Sequence, residues 1–486
     1  MVEQLRELRD RHGYAVSAVV SGHEGTLVDR LRAEKIPYFA WDFSFSAPSE
    51  LLQLPTKVLG LAKLFRREQF DIVQTHLFRS MVIGRLAAWI ADVPVRLSMV
   101  AGPFHLEAPT PRWIDKTCCW MDSRLIGSCE LTLDLYRRMG VPNHRLALVY
   151  YGPDEHKFDP TTAPPAAIRR ELGWPETTPV IGMVAYFYAA LRANRWTPPA
   201  LYGKSVKAHE DLIRAVPLVL REFPTARFLL VGSGWEEGGR RRMGEMQALV
   251  RELHLEDVVI FTGFRKDVNR VLASLDVSVQ ASYNENLGGT IESLLMERPT
   301  VATRVGGMVD SVRDGITGVL VNPADPAYLA AGILRLLRDP EQAGRLGQAG
   351  RRLMLARFTL RHTVNRLDAL YRQLLWRRGR RAAGHRALVS LWRLLCSGPI
   401  CLYMSLRLSL VDTWLLVALD NGWRPWRLDT QLLLARISGP ILLNWIHAIV
   451  GRLPTSSGLR ARGRRYLARI TSGAQGRARK ARARTG

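Results

Sequence analysis

The sequence predicts an α/β protein that contains two parallel, doubly wound sheets. Short apolar strand patterns alternate with amphipathic helical patterns through roughly the first 160 residues, and a second alternating series follows the Pro-rich segment DPTTAPPAAI. Parallel strands are joined by crossover helices, so repeated strand–helix–strand units indicate parallel sheets with helices on both faces. Ligands of such sheets bind beyond the carboxyl ends of the strands. We therefore expect the functional site in a central cleft between the two domains.

The first series predicts a Rossmann-like domain over residues 1–163. Its helical segments are VEQLRELRDRHG, GTLVDRLRAEKI, LLQLPTKVLGLAKLFRREQF, MVIGRLAAWIADV and ELTLDLYRRMG, and its strand segments are YAVSAVVSG, PYFAWDF, DIVQTHL, PVRLSMVAG, SRLIGSC and LALVYYG. The series begins on a helix, whereas a doubly wound sheet usually has a central strand that leads into this helix. We therefore expect the true start to lie upstream of Met1, with a strand and a Gly-rich turn encoded there, and a truncated protein is the alternative.

The second series predicts a Rossmann-like domain over residues 164–356. Its strands PVIGMVA, ARFLLVGSG, VVIFTGF, DVSVQAS and GVLVNP alternate with helices, among them HEDLIRAVPLVLREF, RRRMGEMQALVRELHL and VNRVLASL. The segment VGSGWEEGG lacks the GxGxxG dinucleotide pattern, because Glu237 occupies the last glycine position. A helix over 357–376 and an Arg-rich, amphipathic helical extension over 377–486 complete the predicted organisation.

Basic residues are concentrated in the last part of the chain. The formal net charge is +25, and residues 377–486 hold 21 Arg and Lys against three Asp. Their mixture of Trp, Leu and Arg is typical of segments that bind anionic lipid headgroups. This composition predicts peripheral attachment to the inner face of the cell membrane. A solvated, disordered tail is one alternative, and a tail that binds nucleic acid is the less favoured one.

The composition is that of a globular protein, with 47% hydrophobic and 23% charged residues. The five cysteines form no CxxC pair, and no secretory peptide opens the sequence. No apolar run reaches the ~18 residues that a membrane-spanning helix needs. These features predict a cytoplasmic protein.

The segment NENLGGTIESLLMERPTVATRVGG, residues 284–307, carries the strongest chemical signal. Gly288 and Gly289 precede a predicted helix, and a Gly-rich turn at a helix N-terminus offers backbone N–H groups to phosphate. A carboxylate repels phosphate, so Glu285 and Glu292 are expected to bind neutral hydroxyl groups, which are good donors to ionised carboxylates. A ligand that carries phosphate on one side and hydroxyl groups on the other fits the description of a nucleotide sugar.

These residues resemble the retaining GT-B glycosyltransferases of the "glycosyl transferases group 1" family, of the family 4 type. The likeness also covers KAHEDLIRA, FLLVGSG, VIFTGFRKDV and ERPTVATRVGGMVDSVRDGITGVLVNPAD, and is densest over residues 180–325. The family pattern is E-x7-E, whereas Glu285 and Glu292 are separated by six residues and Asn284 holds the eighth position. The resemblance implies that Glu285 or Asn284 holds the donor sugar and that Glu292 binds the ribose.

The resemblance also implies two cations that neutralise the leaving diphosphate. Lys207 in GKSVKAHEDL matches the family lysine, Arg192 and Arg195 are the candidates for the arginine, and Lys204 is a candidate helper. Fixed cations beside a departing phosphate oxygen lower the barrier by stabilising charge, so we expect no metal and no cofactor besides the donor substrate. A solvated basic loop is the alternative interpretation of all four residues.

Acceptor-side residues are expected at the strand ends of the first domain. His76 ends DIVQTHL and His105 follows MVAGPF, and each is a candidate catalytic residue or an ordinary polar loop residue. In many relatives a histidine closes the strand that aligns with RLSMVAG, and Ala101 takes its place here. Ser128 and Glu130 match a family loop near the acceptor, although Ser128 also suits a helix N-cap.

The predicted function is transfer of a sugar from a nucleoside diphosphate sugar to a lipid-linked, polysaccharide or other hydroxyl acceptor. A non-hydrolysing nucleotide-sugar epimerase on the same fold and a non-catalytic membrane- or nucleic-acid-binding relative are the alternatives. Two further candidate substrate-binding residues are Asn286 in the predicted loop YNENLGG, residues 283–289, which we call the donor loop, and Thr290 directly after it. Three others, Gly263, Arg265 and Val268, are expected beside the base.

Overall fold

The computed structural model describes residues 1–165 and 167–379. Strands and helices alternate in these residues as the sequence predicts. The first domain contains, in order, α1 (Val2–His12), β1 (Ala18–Val20), α2 (Thr26–Ala33), β2 (Tyr38–Ala40), α3 (Pro48–Arg67), β3 (Ile72–His76), α4 (Phe78–Ile90), β4 (Val95–Val100), α5 (Phe104–Glu107), α6 (Pro109–Cys118), β5 (Arg124–Gly127), α7 (Glu130–Arg138) and β6 (Leu146–Leu148).

The second domain continues the alternation, and a last helix follows it. The elements are α8 (Ala167–Glu171), β7 (Val180–Val184), α9 (His209–Leu220), β8 (Arg227–Val231), α10 (Glu236–Glu252), β9 (Val259–Gly263), α11 (Val268–Ala273), β10 (Val277–Gln280), α12 (Thr290–Leu295), β11 (Thr300–Thr303), α13 (Met308–Ser311), β12 (Val319–Val321), α14 (Pro326–Arg338), α15 (Pro340–Arg357) and α16 (Leu360–Gly379).

The second domain has one six-stranded sheet in the order β12-β11-β10-β7-β8-β9, and every strand pair is parallel. All residues of β10 and β11 are buried, because helices cover both faces of the sheet. Two aspartates fix the starts of the covering helices α14 and α15. Asp325 accepts a hydrogen bond from the Tyr328 N–H (2.9 Å) and Asp339 one from the Gln342 N–H (2.8 Å).

The first domain differs from the single sheet that the sequence predicts, because its strands form two separate parallel sheets. One contains β1 and β2, and the other has the order β3-β4-β5-β6. A cavity of about 310 Å³ separates them and is lined by residues 15–21 of the β1 segment and 72–77 of the β3 segment. The facing edges of β1 and β3 are therefore not paired with each other. The strand expected upstream of Met1 stays a prediction.

Helix α16 follows the second domain but packs against the first. Its residues Val364, Leu367 and Leu370 share a buried cluster with Leu97 and Met99 of β4. Within the described residues no helix is long and apolar enough to cross a membrane. The predicted basic extension from residue 380 onward lies outside the described residues, so its membrane contact stays a prediction.

Candidate active site

Lys207 is held beside the loop that follows β10. The segment around it pairs with this loop, since the Ala208 N–H donates to the Ala281 carbonyl (3.2 Å) and the Tyr283 N–H donates to the Val206 carbonyl (2.9 Å). Lys207 and Ser282 form the bridge between these two bonds. Main-chain pairing thus places the lysine side chain at the carboxyl end of a central strand, where ligands of doubly wound sheets bind.

Lys207 forms an ion pair with Glu285. The two side chains are 15% and 16% exposed, so the pair is only weakly screened by solvent. The Glu285 Oε1 also accepts a hydrogen bond from the Asn286 N–H (3.0 Å). The backbone of Gly306 (φ 53°) approaches so closely that a Cβ there would lie 1.6 Å from the Glu285 carbonyl oxygen. Only glycine fits this position, and it helps to fix the loop.

Glu292 lies in the first turn of α12, close enough to Lys207 and Glu285 for their charges to act on it. Its Oε2 is shut off from solvent and has no hydrogen-bond partner within the described residues. Burial raises the pKa of Glu292, and the carboxylate of Glu285 raises it further, whereas the charge of Lys207 lowers it. A buried carboxylate oxygen without a donor is costly. The arrangement is suited to a ligand that brings hydroxyl donors to Glu292.

The sequence predicts that Gly288 and Gly289 offer free N–H groups to phosphate, and the structure differs from this prediction at Gly289. Gly289 is the N-cap of α12, and its N–H donates to the Gln280 Oε1 (3.2 Å). This amide therefore already has a partner and is not open to phosphate in this conformation. The Lys207 ammonium beside this loop is then the better-defined candidate for binding an anion.

The donor loop contacts the first domain directly. The Asn284 Nδ2 donates to the Glu107 Oε2 of α5 (2.6 Å), and the Ser128 Oγ donates to the Asn286 Oδ1 (2.9 Å). The backbone of Gly102 (φ 128°) approaches Asn286 so closely that a Cβ there would lie 3.3 Å from the Asn286 Cβ. The predicted loop residues Asn284, Glu285 and Asn286 thus lie in the cleft between the domains.

The segment that follows β7 is an insertion relative to the family pattern that the sequence resembles, and its residues 186–204 reach across the cleft. The Arg195 carbonyl accepts a hydrogen bond from the Thr110 N–H of the first domain (3.1 Å). The Trp196 ring packs against Phe45, with ring centroids 6.0 Å apart, and against Phe78 at 6.4 Å. The insertion therefore connects the two domains through its backbone and through an aromatic contact.

The basic candidates in this insertion lie in different environments. The Arg195 side chain is buried, with its guanidinium over the Trp196 ring (5.2 Å), whereas Arg192 is exposed. The Lys204 ammonium lies over the ring of Tyr283 (4.9 Å), next to the donor loop. Lys204 and Lys207 are thus brought to the same loop, while Arg195 belongs to the domain contact.

The two candidate histidines lie within the first domain. His76 lines the cavity between β1 and β3, and its Nδ1 is 2.9 Å from the Tyr151 hydroxyl. Burial lowers the pKa of His76 to about 4. His105 is buried, stacks on Phe78 (5.2 Å) and lies 3.7 Å from an Asp115 carboxylate oxygen. Neither histidine contacts the Lys207–Glu285 pair, and their catalytic roles stay predictions.

The remaining candidates lie at two places around the second sheet. Thr290 is buried and bonds the Ser311 hydroxyl (2.7 Å), so it holds the start of α12. Gly263 ends β9 and Val268 begins α11. Arg265 between them is paired with Glu171 (2.6 Å) and Asp267 (2.8 Å). Its guanidinium is therefore held by protein carboxylates, and any contact with a base stays a prediction.

Sequence reasoning missed two groups that shape this site, Glu107 and Gln280. Both lie at or after the carboxyl end of a strand, which is the only signal that could have pointed to them.

Among residues 1–165 and 167–379, no three His, Cys, Asp or Glu side chains converge as a metal-binding group.

Two family models match the chain, one on each domain. The model described as "Glycosyl transferases group 1" matches residues 200–339, and the model described as "Glycosyl transferase 4-like domain" matches residues 1–152. The chain is 27% identical over 372 residues to the D-inositol 3-phosphate glycosyltransferase of Thermobispora bispora, an alignment that covers 73% of this chain and 82% of the relative. It is also 27% identical over 334 residues to the 2-deoxystreptamine glucosyltransferase of Streptomyces kanamyceticus, which covers 64% and 80%.

The fold is also that of a solved glycosyltransferase from Rickettsia africae, which superposes with a TM-score of 0.61 at 18% identity and covers 77% of this chain and 93% of that one. The Anabaena protein HepE in complex with UDP superposes with a TM-score of 0.63 at 20% identity, which covers 76% of this chain and 94% of that one. Both the matched families and the two facing α/β domains agree with the sequence-based expectation. The chain therefore belongs to the glycosyl transferases group 1 family and is a glycosyltransferase with the GT-B fold.

Proposed function

We propose that the chain transfers a sugar, with retention of its anomeric configuration, from a nucleoside diphosphate sugar to a hydroxyl group of a lipid-linked or saccharide acceptor. The observation that carries this proposal is the meeting of Lys207, Glu285 and Glu292 at one strand end in the cleft. One cation and two carboxylates suit a substrate that combines a diphosphate with neutral hydroxyl groups.

Each of these residues has a distinct role in the proposed mechanism. Lys207 binds the diphosphate, which displaces Glu285 from its ion pair and leaves that carboxylate available to the sugar. Glu292 accepts hydrogen bonds from the ribose hydroxyls, which satisfies its buried Oε2. A lysine fixed beside the leaving oxygen stabilises the negative charge that develops there during the reaction.

The transfer step needs no covalent intermediate on the protein. The acceptor oxygen attacks the anomeric carbon from the face that the diphosphate leaves. The bond between that carbon and the diphosphate oxygen breaks, and the acceptor proton passes to a phosphate oxygen of the leaving group. One bond to the anomeric carbon is therefore broken and one is formed on the same face, and one proton moves from the acceptor to the leaving diphosphate. The anomeric configuration is retained.

Relatives support the donor class of this proposal. HepE structures were solved with UDP, with UDP and glucose, and with UDP-glucose, so a nucleotide sugar is the proposed donor. We expect no metal to be needed, because Lys207 supplies the cation. The basic segment 377–486 is proposed to hold the protein at an anionic membrane surface on the cytoplasmic side, where a lipid-linked acceptor would be presented.

The donor is identified first, by the thermal stabilisation that a panel of nucleotide sugars gives the full-length protein, since this measurement needs no acceptor. With that donor, Lys207→Ala and Glu292→Ala should each lower turnover at least a hundredfold, because charge stabilisation or ribose binding is lost. The exposed residues Lys35 and Glu24 provide matched controls, and Lys35→Ala and Glu24→Ala should leave turnover unchanged.

Two results would contradict the proposal. Turnover near the normal rate in both the Lys207 and Glu292 variants would remove the assigned roles. A nucleotide product that carries a changed sugar in the absence of any acceptor would instead indicate the epimerase. The anomeric configuration of the transferred sugar, read by NMR, tests retention directly.

A further inference from the structure

Glu107 is a carboxylate of the first domain that faces the donor loop of the second. It ends α5, a short helix that begins four residues after the carboxyl end of β4. This is the edge of the first sheet that faces the cleft, where ligand-binding groups of doubly wound domains lie. The close approach of Gly102 to Asn286 keeps this edge and the donor loop in contact.

The hydrogen bond from the Asn284 Nδ2 to the Glu107 Oε2 (2.6 Å) joins the acid to the residue that directly precedes Glu285 of the Lys207–Glu285 pair. Asn284 is 7% exposed, so the contact is buried between the two domains and does not lie on the surface. Burial raises the pKa of Glu107, and the hydrogen bond from Asn284 opposes this effect.

The chemistry of Glu107 points to hydroxyl groups as its ligand. An ionised carboxylate has about four acceptor sites, and Asn284 is its one hydrogen-bond partner within the described residues. The remaining sites require donors when the cleft closes over a ligand. A phosphate would be repelled, whereas the hydroxyl groups of a sugar are neutral donors of the right kind.

We propose that Glu107 binds hydroxyl groups of the transferred sugar, so that the first domain completes the sugar subsite of the donor loop. This inference rests on the proposed function. Glu107 and Asn284 belong to different domains and are joined across the cleft, so the subsite is complete only when the domains are closed. Glu107 thereby selects for the sugar, while Lys207 holds the diphosphate.

The test separates sugar binding from nucleotide binding. Calorimetry on the full-length protein gives the Kd of the stabilising nucleotide sugar and the Kd of the corresponding nucleoside diphosphate. Glu107→Gln and Glu107→Ala should each raise the ratio of the first Kd to the second at least tenfold. The Kd of the nucleoside diphosphate itself should change less than threefold. Glu68→Gln, at an exposed acid of the same domain, should change neither value.

The contrary outcomes are distinct. An unchanged ratio in both Glu107 variants would overturn the assignment. An equal loss of affinity for both ligands would also overturn it, because a residue that only holds the domains together would weaken both. If the wild-type protein bound neither ligand, the proposed function itself would fail, and the inference would fall with it. Circular dichroism confirms that each variant is folded.

Discussion

At the scale of single residues, two histidines with lowered pKa values make the folded protein sensitive to acid. His209 stacks on Phe187 with ring centroids 3.9 Å apart, and burial together with the charge of Lys207 lowers the pKa of His209 to about 3. Burial lowers the pKa of His76 to about 4. Both pKa values lie below the ordinary value of about 6.5 for an unfolded chain. Both imidazoles are therefore neutral in the folded protein at pH 5.

The sign of the pH dependence follows from proton binding. At pH 5 the unfolded chain binds a proton at each histidine and the folded protein does not, so acid favours unfolding. Between pH 7.5 and 5, each histidine should lower the free energy of unfolding by about 2 kcal/mol. Urea unfolding at both pH values should show this loss reduced by about that amount in His76→Gln and in His209→Gln. The exposed His144 is the control, and a loss in His76→Gln equal to that in His144→Gln would contradict the expectation.

Also at the residue scale, the sequence predicts the parts of the site that are close together along the chain. Glu285 and Glu292 belong to one loop and helix, and the spacing between them is visible in the sequence. Glu107 is separated from Asn284 by 177 positions. Its role depends on how two domains meet, which no local pattern encodes. The partner of the Gly289 amide was missed for a related reason, because the Gln280 side chain reaches back from the end of a strand.

At the scale of elements, long periodic segments are predicted well and short segments are not. Helices such as α9 and α10 have clear amphipathic patterns over three or more turns. Helix α5 has four residues, which are too few for a periodic pattern, so the sequence does not predict it. The insertion over residues 186–204 carries no strong pattern either. Its conformation depends on contacts with the other domain.

The insertion leads to a prediction about how the two domains are held together. Trp196 is the residue through which it packs on Phe45 and Phe78. Trp196→Ala should remove this aromatic contact while the hydrogen bond between Thr110 and the Arg195 carbonyl remains. We expect faster hydrogen exchange across residues 186–204 and unchanged exchange in α9, measured by mass spectrometry.

The half-exposed Trp120 provides the control for this experiment, since its ring packs on Trp89 within the first domain, with ring centroids 5.5 Å apart. Trp120→Ala should leave exchange across residues 186–204 unchanged. If Trp196→Ala accelerated exchange there no more than Trp120→Ala does, the insertion would be held by its backbone contacts and not by Trp196.

At the scale of the whole molecule, the two domains belong to the same fold class, but only the second domain has a continuous sheet. The sheet of the second domain joins six strands without a break, whereas that of the first is divided between β1 and β3. The apolar side chains of Leu5, Leu8 and Leu61 line the cavity at this division. Unpaired strand edges and a cavity both lower stability, so we expect the first domain, while this division is open, to be less stable than the second.

The division also predicts how the first domain can be stabilised. A strand that enters the cavity parallel to β1 and β3 would pair with both edges and bury apolar side chains on both faces. Met1 lines this cavity, so a segment of five Val and Ile residues, joined ahead of Met1 by a short Gly-rich turn, is within reach of it. We expect this extension to raise Tm by several degrees, measured by differential scanning calorimetry, because about 1 kcal/mol corresponds to about 2–4 °C in a domain of this size. The same extension with Pro at its central position cannot complete the pairing and should raise Tm little. An equal rise with the Pro-containing extension would mean that the two strand edges do not accept a strand.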